Sequence, residues 1–180
     1  STQQRAQQWS LAMSGLLGFF IPSMFAWDIY ANHLVENLAT WSMVLVLDVL
    51  GLILTIQAGN TKPVLQIGWC LAATLICAAI LSNAGSWHWT WVESMSLVLC
   101  ATAITLWIIK GALWGLWPYM AAVYISFIPQ AVDYWYQPQP ETLWLWTWTI
   151  VGCVFAILGA PKRDLANTFV PWGCIVLNTI

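Results

Sequence analysis

Apolar runs long enough to cross a lipid bilayer fill almost the whole chain, and only short polar clusters interrupt them. Runs of about 18 or more such residues read as membrane spans. The 180 residues are 61% hydrophobic and 7% charged, with a mean hydropathy of +0.75. Soluble domains carry about 25% charged residues, so this chain cannot cover a water-facing surface. It has no soluble domain and no basic patch for a nucleic acid. Ser1 to Gln8 is polar with a single basic residue, Arg5. The apolar run that follows is longer than the about 7–15 residues of a signal-peptide core and lacks a clear small-residue cleavage site. It reads as a retained first span, and the expected fold class is an all-α integral membrane protein.

Breaks in the apolar pattern predict seven spans, near 9–30, 38–58, 63–83, 91–110, 113–134, 142–160 and 166–180. Turn-forming clusters separate them: Gly59-Asn60-Thr61-Lys62-Pro63, Asn83-Ala84-Gly85-Ser86, Gln137-Pro138-Gln139-Pro140 and Ala160-Pro161-Lys162-Arg163-Asp164. The seventh is shorter than the roughly 20 residues a crossing needs, so that helix is expected to be incomplete or cut. Alternating the loops between the two faces puts Arg5, Lys62, Lys110, Lys162 and Arg163 on the side of the N-terminus. The opposite loops, near 31–37, 84–90 and 135–141, hold no Lys or Arg. By the positive-inside rule the N-terminus is cytoplasmic and the C-terminus outside. A bacterial inner membrane is the expected location.

An internal duplication organises the spans. Phe20-Ile21-Pro22 in the first matches Phe127-Ile128-Pro129 in the fifth, and Thr40-Trp41 in the second matches Thr147-Trp148 in the sixth. Both matches share an offset of 107 positions (128 − 21 and 148 − 41). Gly68-Trp69-Cys70 resembles Trp172-Gly173-Cys174 after a shorter loop. The expected organisation is a first three-helix repeat over 1–85, a linker helix over 86–111 and a second repeat over 112–180. Three spans per repeat is an odd number, so the linker is what makes the repeats parallel. Parallel repeats pack about an axis along the membrane normal, with substrate sites at their interface near the midplane.

Three helices, a linker and three helices, with a proline in the first helix of each half, resemble the PQ-loop and SWEET-type transporters. The second copy reads Pro129-Gln130, the dipeptide that names the group, whereas the first reads Pro22-Ser23. The resemblance implies that Pro22 and Pro129 are bending points between inward-open and outward-open states, with solute held between the bundles. Nicotinamide riboside transporters share this architecture and a Trp-rich pocket. Sugar carriers of the group often have Asn in the third and seventh helices, where this chain has Trp172 after Pro171. The derived orientation is also opposite to that usual for SWEET proteins.

Asp48 stands out because it falls near the centre of the second span, where a carboxylate costs about 2.5–3.5 kcal/mol on insertion scales. Helical spacing places Trp41, Asp48, Gly51 and Thr55 on one face. A cavity-facing proton or substrate ligand is one reading; a carboxyl hydrogen-bonded to a neighbouring helix or subunit is the other. A second stripe, Tyr119, Ser126, Gln130 and Asp133, runs along the fifth span, and a third, Glu93, Ser96, Cys100 and Trp107, along the fourth. Glu93 is expected to be solvated or to sit in the first turn of its helix, where a carboxylate is favoured. Of the 15 tryptophans, about half fall near span ends, where Trp anchors helices in the interface.

The expected substrate-binding residues are Trp41, Asp48, Ser126, Gln130, Trp148 and Trp172, with Pro22 and Pro129 as hinges. Cys70, Cys77, Cys100, Cys153 and Cys174 all lie in apolar segments with no CxxC pair and read as packing residues. His33 and His88 belong to outer loops. Neither a metal nor a cofactor is expected. No nucleophile elbow, HExxH, P-loop or GxGxxG is present, so the chain is not expected to be an enzyme. The function expected is a carrier for a small polar or ring-shaped solute, such as a vitamin, nucleoside or sugar, working by alternating access. Its partners would be that solute, membrane lipid and further copies or complex chains. The alternative is a non-transporting accessory subunit of a larger membrane complex.

Overall fold

A computed structural model of the chain describes residues 2–83, 85–136 and 140–179, with the side chains of all of these except 133, 134 and 140–142. The described residues form eight helices: α1 (Thr2–Asn32), α2 (Leu38–Gln57), α3 (Val64–Ser82), α4 (Trp91–Lys110), α5 (Ala112–Ser126), α6 (Ile128–Tyr136), α7 (Pro140–Gly159) and α8 (Leu165–Leu177). Five runs are long and apolar enough to cross a membrane: α1, α2, α3, α4 and Ala112–Val132, which joins α5 to the start of α6. Leu143–Gly159 and Leu165–Leu177 are shorter apolar helices. The chain is an all-helical integral membrane protein.

Local chemistry sets the helix ends. Asn37 caps α2, its side-chain oxygen accepting from the Ala39 amide at 3.1 Å. Thr90 and Glu93 form a capping box at the start of α4. Asp164 caps α8 by accepting from the Asn167 amide at 3.1 Å. A single residue, Gly111, links α4 to α5 with φ 98°, a conformation that a side chain would strain.

The helices differ from the sequence expectation in two places. The first begins at Thr2, well before the expected start at residue 9, because Gln, Arg and Ala are good helix formers and carry the helix beyond the apolar run. The fifth is interrupted at Phe127, between α5 and α6. Pro129 has no amide proton for the Ile125 carbonyl, its ring crowds that carbonyl, and it disfavours helical geometry at Ile128. Pro22, by contrast, sits inside an unbroken α1. Of the expected turn clusters, residues 84 and 137–139 lie outside the described residues.

Chain neighbours are not always spatial neighbours. α1 packs against α3 and α7, and α3 also packs against α2, whereas α1 and α2 do not meet along their backbones. Likewise α8 lies between α5 and α7, which do not meet. α2 crosses α5, and α4 lies mainly along α5. The α1–α3 crossing depends on a missing side chain: a Cβ at Gly68 would lie 2.9 Å from the Gly15 carbonyl oxygen and 2.9 Å from the Phe19 amide nitrogen. The principal core is the seam where α2, α5 and α8 converge, around Leu47, Leu54, Leu116, Met120, Ala122 and Val170.

Candidate functional site

One end of this bundle is hollow and the other is closed. The hollow end carries the 33–37 and 85–90 loops. There α1, α2, α3, α5, α7 and α8 surround a cavity whose empty space, open mouth included, is about 820 Å³. Six aromatic side chains line it: Phe25, Trp41, Trp69, Tyr119, Phe127 and Trp146. Two of these contacts cross between helices. Phe25 of α1 meets Trp41 of α2 with ring centroids 5.4 Å apart, and Phe127 meets Trp146 of α7 edge-on at 5.7 Å. Aromatic pairs favour such offset or edge-on geometry because their ring faces carry negative charge and their edges positive.

Asp48 is the one charged residue on this lining among the described residues. Its carboxylate accepts no hydrogen bond from a described residue and lies within electrostatic reach of Tyr119, Cys70, Cys77 and Cys174. Tyr119 is 2% exposed. Its ring tip occupies the space that a side chain on Gly51, one turn along α2 from Asp48, would fill: a Cβ there would meet both Oη and Cζ. Glycine at position 51 therefore lets the phenol lie flat against α2. Ser126, Thr149, Cys174 and Asn178 supply the remaining small polar groups of the wall.

A polar clasp braces the hollow end. The Asn37 side chain donates to the His88 carbonyl at 2.8 Å and accepts from the His88 amide at 3.0 Å. The Leu38 amide donates to the Ser86 carbonyl at 2.8 Å. Glu93 accepts from the Thr40 hydroxyl at 2.6 Å and the Thr90 amide at 2.7 Å, tying the start of α4 to α2. Glu93 is 1% exposed. Its expected place in the first helical turn holds, but it is buried rather than solvated because these donors replace water.

At the closed end α7 presses on α1, where Gly159 faces Leu11, and α5 presses on α4, where Gly115 faces the Ala103 carbonyl. A small cleft of about 260 Å³ persists there, walled in part by Ser14, Asn60, Lys62, Gln66 and Asn167.

Of the residues singled out in the sequence, Trp41, Asp48, Ser126 and Pro22 meet on the cavity wall. Gln130 and Pro129 lie past the break at Phe127, on α6, and are not on the wall. Trp148 and Trp172 are turned away, 46% and 55% exposed on the bundle surface. The tryptophans on the wall besides Trp41 are Trp146, two residues before Trp148 on α7, and Trp69 on α3. The Asp133 side chain lies outside the described residues. Phe25, Thr149 and Asn178 are wall residues that carried no signal in the sequence, since each is one apolar or small polar residue among many on its helix, and Phe127 stood out there only through the repeat match. No group of three or more His, Cys, Asp or Glu among the described residues is arranged to hold a metal ion. Comparison with protein-family models, curated proteins and solved structures finds no match to this chain.

Proposed function

We propose that the chain is a carrier that moves a small solute across a membrane by alternating access, with its site in the aromatic cavity around Asp48. The observation that carries this reading is the cavity itself: six helices wall it, its lining lies toward one end of the bundle, and the Asp48 carboxylate lies on its wall. An intramembrane ionisable residue facing a cavity is the usual mark of a substrate or ion path.

The pattern of helix packing supports two parallel three-helix units joined by α4. Among these six helices, exchanging α1 with α5, α2 with α7 and α3 with α8 maps each observed neighbour pair onto another, whereas the contacts of α4 with α5 and α2 have no counterpart. The α1–α3 pair becomes α5–α8, α2–α3 becomes α7–α8, α1–α7 becomes α5–α2, and α2–α8 becomes α7–α3. The Phe25–Trp41 and Phe127–Trp146 pairs exchange in the same way. On this reading α5 and α6 together make one span, giving seven crossings, and the cavity lies on the axis between the units. Lys62, Lys110, Lys162 and Arg163 then mark the cytoplasmic, closed end of a bacterial inner-membrane protein, and the cavity faces outward. The likeness to PQ-loop and SWEET-type transporters belongs to this proposal, with Phe127 rather than Pro129 as the bending point of the fifth span.

The test is uptake by proteoliposomes of a panel of labelled vitamins, nucleosides, sugars and organic cations, comparing wild type with Asp48→Asn. Uptake of one solute by wild type, lost in the variant, supports the carrier. Folded protein that takes up nothing, and from which Asp48→Asn releases co-purifying chains, favours the accessory-subunit alternative instead.

A further inference from the structure

The composition of the cavity wall restricts the charge and hydrogen-bonding character of its occupant. Asp48 has no Lys, Arg or His beside it on the wall among the described residues, so an ionised carboxylate there would be balanced by no side chain. Six aromatic rings share that wall, and stacked or edge-paired rings present negatively charged faces to a cation. Hydrogen-bonding groups are few: beyond Asp48 and the Tyr119 hydroxyl there are Ser126, Thr149, Asn178 and the tryptophan N–H groups.

We propose that the solute is a compact organic monocation of the quaternary-ammonium kind, with Asp48 as its counter-ion and the tryptophan and phenylalanine rings as its cage. This rests on the carrier reading and names the substrate class of the same site. A sugar or nucleoside would bring several hydroxyl groups into a wall that can pair few of them, and each hydroxyl left unpaired opposes binding. A primary ammonium is more strongly hydrated and has three N–H donors to satisfy, for which the wall offers Asp48 and a few hydroxyl and amide oxygens. A quaternary ammonium has no donors at all. Its charge is spread over methyl groups that pack against ring faces, so it surrenders little hydration and needs only the aromatic cage and a distant anion. Phe25–Trp41 and Phe127–Trp146 supply two ring pairs of such a cage, both on the cavity wall.

The experiment compares choline with 3,3-dimethylbutan-1-ol, which has the same shape with a neutral carbon in place of the nitrogen. Binding to the purified full chain is followed by tryptophan fluorescence and calorimetry. The expected result is choline binding at least tenfold tighter than its neutral isostere. Choline binding is expected to be lost in Asp48→Asn and weakened about tenfold in Trp41→Leu. Equal binding of choline and the isostere to wild type would overturn the proposal, and that comparison does not depend on any variant folding. A neutral sugar or nucleoside that is carried while choline is neither bound nor carried would also overturn it, yet leave the carrier reading standing. Absence of uptake for every solute, choline included, by folded protein would remove both.

Discussion

Gly51→Ala is expected to close part of the cavity without unfolding the protein, and the geometry fixes why. The added Cβ would overlap Tyr119 Oη and Cζ, well inside any ordinary contact distance. Ordinary carbon contacts begin near about 3.5 Å, so the ring tip must retreat by about 1 Å. The atoms in conflict belong to a side chain, not to backbone, and the space away from Gly51 is the cavity. Overpacking a core costs about 1–3 kcal/mol, whereas alanine in place of glycine inside a helix returns about 0.8–1.0 kcal/mol. The net loss of stability is therefore small, about 0–2 kcal/mol, while the displaced phenol enters the space beside Cys174. The assay is reaction of Cys174 with a small thiosulfonate, in a variant whose other four cysteines are replaced, read by mass spectrometry. Labelling is expected to slow about tenfold, equivalent to about 1.4 kcal/mol of added barrier, with the unfolding temperature nearly unchanged. Adding Tyr119→Leu, which removes the ring tip, restores the rate. An unchanged labelling rate in folded Gly51→Ala would refute the assignment of Tyr119 to the cavity wall.

Gly68→Ala is the contrasting case, because its conflict is with α1 backbone 2.9 Å away, which cannot swing aside. It is expected to lower the unfolding temperature by several degrees, for a net cost of about 1–2 kcal/mol; no loss in thermal scans would contradict that crossing. Glu93→Ala leaves the Thr40 and Thr90 hydroxyls without their acceptor and is expected to cost about 1.5–3 kcal/mol, measured as a shift in denaturation midpoint. Trp148→Ala and Trp172→Ala, both turned away from the cavity, are expected to leave Cys174 labelling within about twofold of the unchanged wall, under 0.5 kcal/mol. A tenfold effect from either would place it on the solute path after all.

Much of the architecture could be read from the chain because lipid imposes strict rules. The helix breaks at Gly59, Gly111 and Ala160–Asp164 fall where turn residues and basic side chains coincide, and Asp48 is conspicuous because a carboxylate at that depth requires a reason. The facing of the tryptophans was not legible. A helix that is apolar on all sides gives no period to distinguish the face toward the cavity from the face toward lipid. Trp148 matched Trp41 in sequence spacing, but residues two apart on a helix point in nearly opposite directions, and it is Trp146 that faces inward. The interruption at Phe127 was half visible. Pro129 announced a defect in the fifth span, while the matching Pro22 leaves α1 continuous, since α1 is held along its length by α3 and α7 whereas the α6 backbone, among the described residues, comes close to α5 alone.

The most direct test of an alternating-access cavity uses Cys174, which lines it, as the sole cysteine in proteoliposomes of known orientation. Membrane-impermeant thiosulfonates, one cationic and one anionic, are applied from each side in turn. A carrier of the kind proposed predicts labelling from both faces, faster from the side of the 33–37 loop. It also predicts a preference of at least tenfold for the cationic reagent that disappears in Asp48→Asn. Labelling from neither face, or from one face with no charge preference, would contradict it.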